Sequence, residues 1–169
     1  MKEVRPTSGK VLQALFSILG DIRGAAFLDL FSGTGRVARM ARDRGACPVA
    51  AVEILPARVR RIRPLFGEDL DFLLLAMDIR RSLGYLERKK RLFDIIFADP
   101  PYGEGWPPLL GGLLFPGRGG VLAPAGVAVV EHSSREDLPE GDNYILADRR
   151  EYGDTVLTFL RAREKGEPE

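Results

Sequence analysis

Ala25-Ala26-Phe27-Leu28-Asp29-Leu30-Phe31 runs into Ser32-Gly33-Thr34-Gly35, and residues 37–44 follow as a helix that Gly45 ends. The apolar run reads as a buried strand and the glycines as the tight turn that carries it into the helix. The same alternation continues downstream. Residues 48–53 read as a second buried strand. Residues 56–66 read as a helix opened by Pro56, with Arg58, Arg60, Arg61 and Arg63 on its outer face. Residues 71–77 form a third strand ending at Asp78, residues 79–91 a polar helix, and residues 92–98 a fourth strand. Upstream, Val11, Leu12, Leu15, Phe16 and Leu19 make a helical stripe over residues 8–19, with Ser8 as its cap. Strands alternating with helices give an α/β fold, a parallel sheet covered on both faces. Residues 104–115 hold one helix, expected to be broken by Pro107-Pro108 and Gly111-Gly112. Residues 126–131 are a fifth strand, and residues 144–150 and 155–160 a closing hairpin that departs from a purely parallel sheet.

A chain of 169 residues, 45% hydrophobic and 29% charged, is expected to fold as one soluble domain. The single cysteine, Cys47, excludes an internal disulfide and a cysteine-cluster metal site, and is read as structural. No apolar run reaches membrane-spanning length and the first residues lack a signal-peptide core, so a cytoplasmic protein without membrane contact is expected. The net charge of +1 does not announce a nucleic-acid binder, although twenty arginines against five lysines would suit phosphate contacts. The basic clusters at residues 58–63, 80–81, 88–91 and 149–150 read most simply as solvated faces, and become phosphate contacts only around an active-site rim.

Ligands on such sheets bind outside the carboxyl ends of the strands, and the distinctive residues fall there. Gly33-Thr34-Gly35-Arg36-Val37-Ala38 fits a nucleotide-type glycine turn, and Glu53, twenty residues beyond Gly33, stands where an acid can bind both ribose hydroxyls. The turn alone separates neither NAD from S-adenosylmethionine nor either from a plain structural turn. NAD needs a helix N-terminus free for its pyrophosphate. S-adenosylmethionine carries a sulfonium and an ammonium group, which acidic residues favour. Asp29 lies just before the turn, where it either meets such a cation or caps the turn. Asp78 is placed to meet an adenine amino group. Asp99-Pro100-Pro101-Tyr102 closes the fourth strand. Its prolines hold the backbone extended, so a carboxylate, the Pro100 carbonyl and an aromatic ring stand in fixed relation. Such a group grips a flat heterocycle bearing an exocyclic amine; a proline-stiffened loop is the ordinary alternative. Trp106 could stack on a base or close a lid, against simple packing. His132, the sole histidine, could touch a substrate or be an ordinary strand-end histidine.

These residues together resemble a class I S-adenosylmethionine-dependent methyltransferase that acts on amines. More narrowly, the chain resembles the RsmD-type enzymes that methylate guanine N2 in small-subunit (16S) ribosomal RNA. The anchors are Arg5-Pro6-Thr7-Ser8, the stretch from Phe27 to Gly35, Val52-Glu53, Asp78, Asp99-Pro100-Pro101-Tyr102 and Val130-Glu131-His132-Ser133. The resemblance implies a Rossmann-like, seven-stranded sheet of order 3-2-1-4-5-7-6 whose seventh strand is antiparallel, in keeping with the closing hairpin. It implies that Asp29, Phe31, Gly33, Gly35, Glu53, Asp78 and Thr7 bind S-adenosylmethionine, that Arg5 helps shape the target side, and that Asp99 to Tyr102 hold the target base. Gly9-Lys10 departs from the polar or charged pair common in the family, and the stretch 56–78 is short. Ribosomal RNA, within a small-subunit particle, is the implied partner of a monomer. No metal is required, because a sulfonium is already an activated leaving group. Residues 1–163 are expected to form the methyltransferase domain and residues 164–169 a charged tail. The four-residue motif alone does not separate adenine N6, cytosine N4 and guanine N2, and an adenine methyltransferase is the nearest alternative. An NAD-dependent oxidoreductase and a non-catalytic RNA-binding module are the more distant ones.

Overall fold

The computed structural model describes residues 8–164 and 166. Helix α1 (Gly9–Leu19) precedes strand β1 (Phe27–Leu30), and Ser8 caps it by accepting a bond from the Val11 amide at 3.2 Å. Three helix–strand units follow: α2 (Arg36–Asp43) and β2 (Val49–Val52), α3 (Pro56–Phe66) and β3 (Phe72–Leu75), α4 (Ile79–Arg88) and β4 (Phe93–Ala98). Helix α5 (Trp106–Leu114) leads to β5 (Leu122–Ser133), and β6 (Tyr144–Tyr152) and β7 (Thr155–Ala162) form the hairpin. The sheet order is β3-β2-β1-β4-β5-β7-β6; β1 to β5 run parallel, and β7 lies antiparallel between β5 and β6, so it is the one reversed strand of the seven named. This is the architecture that the sequence and its resemblance lead one to expect.

The short central strands bury both faces, so successive residues feed two separate cores. Phe27, Val49, Ala51, Ile95, Phe97 and Val129 pack on the α1–α2–α3 side, where Leu12, Leu15, Phe16 and Ile62 are buried. Leu28, Leu30, Ala50, Val52, Ile96, Ala98 and Val130 pack on the other side against Leu83 and Leu86 of α4 and Leu110 and Leu114 of α5. The burial that holds the sheet therefore also fixes the relative height of the strand ends.

Three elements differ from expectation. Helix α4 stops at Arg88 rather than Arg91. Lys90 takes a left-handed φ of 54°, with its amide bonded to the Glu87 carbonyl and the Arg91 amide to that of Leu86. This helix-ending turn normally carries glycine, so a lysine there conceals it in the sequence. Helix α5 is continuous, not broken. Pro107 and Pro108 sit in its first turn, where amides have no partner within the helix to lose. Gly111 and Gly112 lie within the helix, and the Tyr144 ring packs where a Cβ on Gly111 would be, which explains a glycine there. Strand β5 begins at Leu122, earlier than expected, and its pairing with β4 shifts register between Phe93 and Ile95. Among the described residues no helix is long and apolar enough to cross a membrane. Cys47 is free and partly buried.

Candidate active site

Register aligns the carboxyl ends of four strands. Leu30 pairs with Ala98 and Ala98 with Val130, so Phe31 and Asp99, the first residues past β1 and β4, stand beside Glu131, which is still within β5. Asp29 pairs with Ala51, which brings Glu53 to the same edge. Phe31 turns the chain out of β1 with a φ of 57°, a left-handed value rarely taken by a bulky residue, and Gly33 and Gly35 continue the turn at 60° and 79°. The Ser32 amide ties the turn to β2 through the Val52 carbonyl at 2.8 Å. Gly35 packs so close to Ile62 and Leu65 of α3 that a side chain would crowd both.

Two buried carboxylates organise this turn. One oxygen of Asp29 accepts from the Ser32 hydroxyl at 2.8 Å and from the Ala38 amide, in the first turn of α2, at 3.2 Å. Glu53 accepts from the Gly33 amide at 2.8 Å and the Leu55 amide at 3.0 Å, with the Arg58 guanidinium 3.8 Å away. Asp29 is wholly shielded from water. Burial pushes its carboxyl up to about 7 against the two hydrogen bonds, and the charges of Asp99 and Glu53 push the same way. The turn thus presents acid rather than free amides, with the Gly33 and Ala38 donors already taken by carboxylates. That suits a ligand with cationic groups and opposes a pyrophosphate.

Asp99-Pro100-Pro101-Tyr102 follows β4 on the same edge, with Asp99 and Tyr102 partly buried and Pro100 buried. The Tyr102 hydroxyl lies 3.4 Å from the Thr155 hydroxyl of β7, and burial pushes its phenol up to about 12, so it stays protonated. Beyond it, the Gly103 amide donates to a Glu136 carboxylate oxygen at 2.8 Å. Trp106 packs edge-on against Phe31 at 5.2 Å, and the Arg80 guanidinium stands 6.0 Å above its ring. The Trp106–Phe31 contact joins the segment after Tyr102 to the glycine turn.

Asp78 caps α4, accepting from the Arg81 amide at 3.0 Å; its partly exposed carboxylate stays at the sheet edge. His132, next along β5, is 2% exposed, with Nδ1 at 2.9 Å from the Ser133 carbonyl and Nε2 at 2.8 Å from the Thr158 hydroxyl, the latter contact tying β5 to β7. Arg5 and Thr7 lie outside the described residues. Among the described residues no cluster of three or more His, Cys, Asp or Glu could hold a metal. Sequence reasoning missed Ser32, Thr155 and Glu136. The last had a visible signal: Ser133-Ser134-Arg135-Glu136 has the spacing of a capping box, although no helix follows it.

A doubly wound sheet closed by an antiparallel seventh strand, with acids around its glycine turn and Asp-Pro-Pro-Tyr on the adjacent strand, defines a class I methyltransferase. The chain belongs to the family described as Conserved hypothetical protein 95, the RsmD family, whose model matches residues 1–161. It is 24% identical to an uncharacterized methylase of Rickettsia prowazekii over 93% of this chain and 88% of that protein. It is 26% identical to the ribosomal RNA small subunit methyltransferase D of Buchnera aphidicola over 60% of this chain, a match that spans 52% of that relative. A solved hypothetical protein of Thermus thermophilus superposes with a TM-score of 0.80 at 28% identity, covering 95% of this chain and 90% of that one.

Proposed function

We propose that this methyltransferase uses S-adenosylmethionine to methylate the exocyclic N2 amine of a guanine in small-subunit ribosomal RNA. The observation that carries the reading is the adjacency of two features. An acid-lined glycine turn stands at the end of β1, and the Asp99–Tyr102 loop stands at the end of β4, the next strand in the sheet. The ribosomal RNA target is supported by the family and by the name of the Buchnera relative.

The residues present fit the cofactor. Glu53 has accepting capacity left for ribose hydroxyls after its two amide bonds. Asp29 is a buried carboxylate whose charge a cationic ligand would stabilise. Asp78 stands at the end of the β3 unit for an adenine amine, and Phe31, Gly33 and Gly35 shape the wall between them. When bound, S-adenosylmethionine supplies a methyl group on a sulfonium that leaves as a neutral thioether. The same acids oppose a pyrophosphate, which argues against the NAD alternative.

An exocyclic amine is a poor nucleophile because its lone pair is delocalised into the ring. Asp99 and the Pro100 carbonyl would accept its two N–H protons and hold the nitrogen oriented for attack. As the nitrogen gains positive charge, the same two acceptors bind it more tightly, which lowers the barrier. Tyr102, neutral and anchored on Thr155, would stack on the target base, which must be unpaired or flipped out. Asp99 orients the amine and stabilises the charge; the proton leaves after transfer. Residues 1–163 would make up this domain, with residues 164–169 as a charged tail.

The test is tritiated methyl transfer to methylation-deficient small-subunit particles and to naked RNA, with wild-type protein and Asp99→Ala. The wild type is expected to label RNA. The variant is expected to lose about 100-fold or more in rate while binding S-adenosylmethionine as the wild type does. Undiminished transfer by the variant would remove Asp99 from the mechanism.

A further inference from the structure

We propose that Glu136 is a positioning residue for the methyl-transfer loop, its carboxylate pinning the backbone directly after Tyr102 to the end of β5. The inference rests on the functional reading of Asp99 to Tyr102 given above. One carboxylate oxygen of Glu136 accepts the Gly103 amide at 2.8 Å, and the other accepts the Ser133 amide at 3.2 Å. A single side chain thus bridges the segments that follow β4 and end β5, and its own residue lies 33 beyond Gly103 in sequence.

The geometry points to a fixed anchor rather than a chance surface contact. The turn carrying Glu136 is closed by its own amide on the Ser133 carbonyl at 3.0 Å and by the Arg135 amide on the Ser133 hydroxyl at 3.2 Å. The Ser134 amide fastens it to the Asp154 carbonyl at 2.8 Å, and Leu138 is buried just beyond. The pinned side needs such support. Gly103 and Gly105 both hold left-handed φ values, 74° and 75°, so the link from Tyr102 to α5 passes through two permissive residues. The prolines stiffen the loop before Tyr102, and among the described residues the tyrosine hydroxyl has only the long 3.4 Å contact to Thr155. Glu136 closes the far end. It touches neither substrate nor cofactor in this reading; it fixes where Tyr102 and the preceding carbonyl stand, and small misplacements of such groups are costly in rate.

Two acceptors are required at once, which gives the conservative variant a distinct signature. Glutamine has one acceptor oxygen and an NH2 that cannot receive the second amide. The experiment compares wild type, Glu136→Gln and Glu136→Ala by steady-state kinetics, by thermal unfolding, and by amide exchange at Gly103 without substrate. Glu136→Ala is expected to lower kcat about 10-fold to 100-fold with KM for S-adenosylmethionine within about twofold, Glu136→Gln to fall between, and exchange at Gly103 to rise about 10-fold. Melting temperatures are expected to stay within a few degrees of wild type. An active wild type with unchanged kcat or unchanged Gly103 exchange in Glu136→Ala would overturn the pin alone. A wild type that transfers no methyl group to RNA would overturn the functional reading, and with it the catalytic meaning of the pin.

Discussion

In the proposed function Asp29 serves fold and ligand in opposite directions. Its oxygen organises the turn into α2 through Ser32 and Ala38, yet burial lifts its carboxyl from 3.8 to about 7. Because the folded value lies above the unfolded one, the protonated form is favoured by folding. That contribution is complete at low pH, below about 4, and is lost as pH rises through 7. The ionised group costs the ligand-free fold on the order of 4 kcal/mol at pH 8. A cation beside Asp29 offsets that cost, so affinity for S-adenosylmethionine is expected to rise between about pH 6 and pH 8. Asp29→Asn, which keeps an accepting oxygen, is expected to abolish this rise and weaken binding about tenfold or more. The same variant is expected to raise the ligand-free melting temperature at pH 8 more than at pH 5. Calorimetric titration and thermal melts across pH measure both. From sequence alone, capping and cation binding were equally open for Asp29. The bonds to Ser32 and Ala38 show the capping role, and cation binding is part of the proposed function; the burial that raises its carboxyl depends on strand neighbours that no local pattern shows.

At the scale of elements, local chemistry was legible wherever punctuation was conventional. The Ser8 cap, the Gly45 stop and the proline at the start of α3 all stand where the sequence puts them. It failed where tertiary packing overrode propensity. Lys90 occupies a glycine position at the end of α4, and the Ser133–Glu136 spacing builds a capping box with no helix. The adjacent glycines of α5 separate the two kinds of information. Gly111 faces the buried Tyr144 ring, whose hydroxyl is held by the Pro139 carbonyl at 2.8 Å, whereas nothing lies within 4 Å of a Cβ on Gly112. Gly111→Ala is therefore expected to destabilise by about 1–3 kcal/mol through overpacking. Gly112→Ala is expected to stabilise by about 0.5–1 kcal/mol through helix propensity. Denaturant unfolding of the two single variants measures the contrast. A common sign for both would show that α5 does not pack as described.

For the whole molecule, the sheet is the instrument that gathers the site. Asp29, Glu53, Asp78 and Asp99 are separated by tens of residues, and parallel register at β1, β2 and β4 brings three of them to one edge. The alternation of strands and helices made that edge readable in the sequence. The crossing of β7 between β5 and β6 was readable only through family resemblance, since a hairpin can be added to a sheet in more than one way. The contact from Thr155 to Tyr102 depends on that crossing, which is why it escaped notice. The exposed arginines of α3 and the modest net charge of +1 are compatible with a substrate that supplies much of its own shape, such as a folded ribosomal particle. What remains is the identity of the amine, which Asp99-Pro100-Pro101-Tyr102 alone does not select. Transfer of tritiated methyl from S-adenosylmethionine to small-subunit particles lacking methylation, followed by digestion and nucleoside analysis, reads it directly. The account predicts label in N2-methylguanosine; label in N6-methyladenosine, or no label in RNA at all, would contradict it.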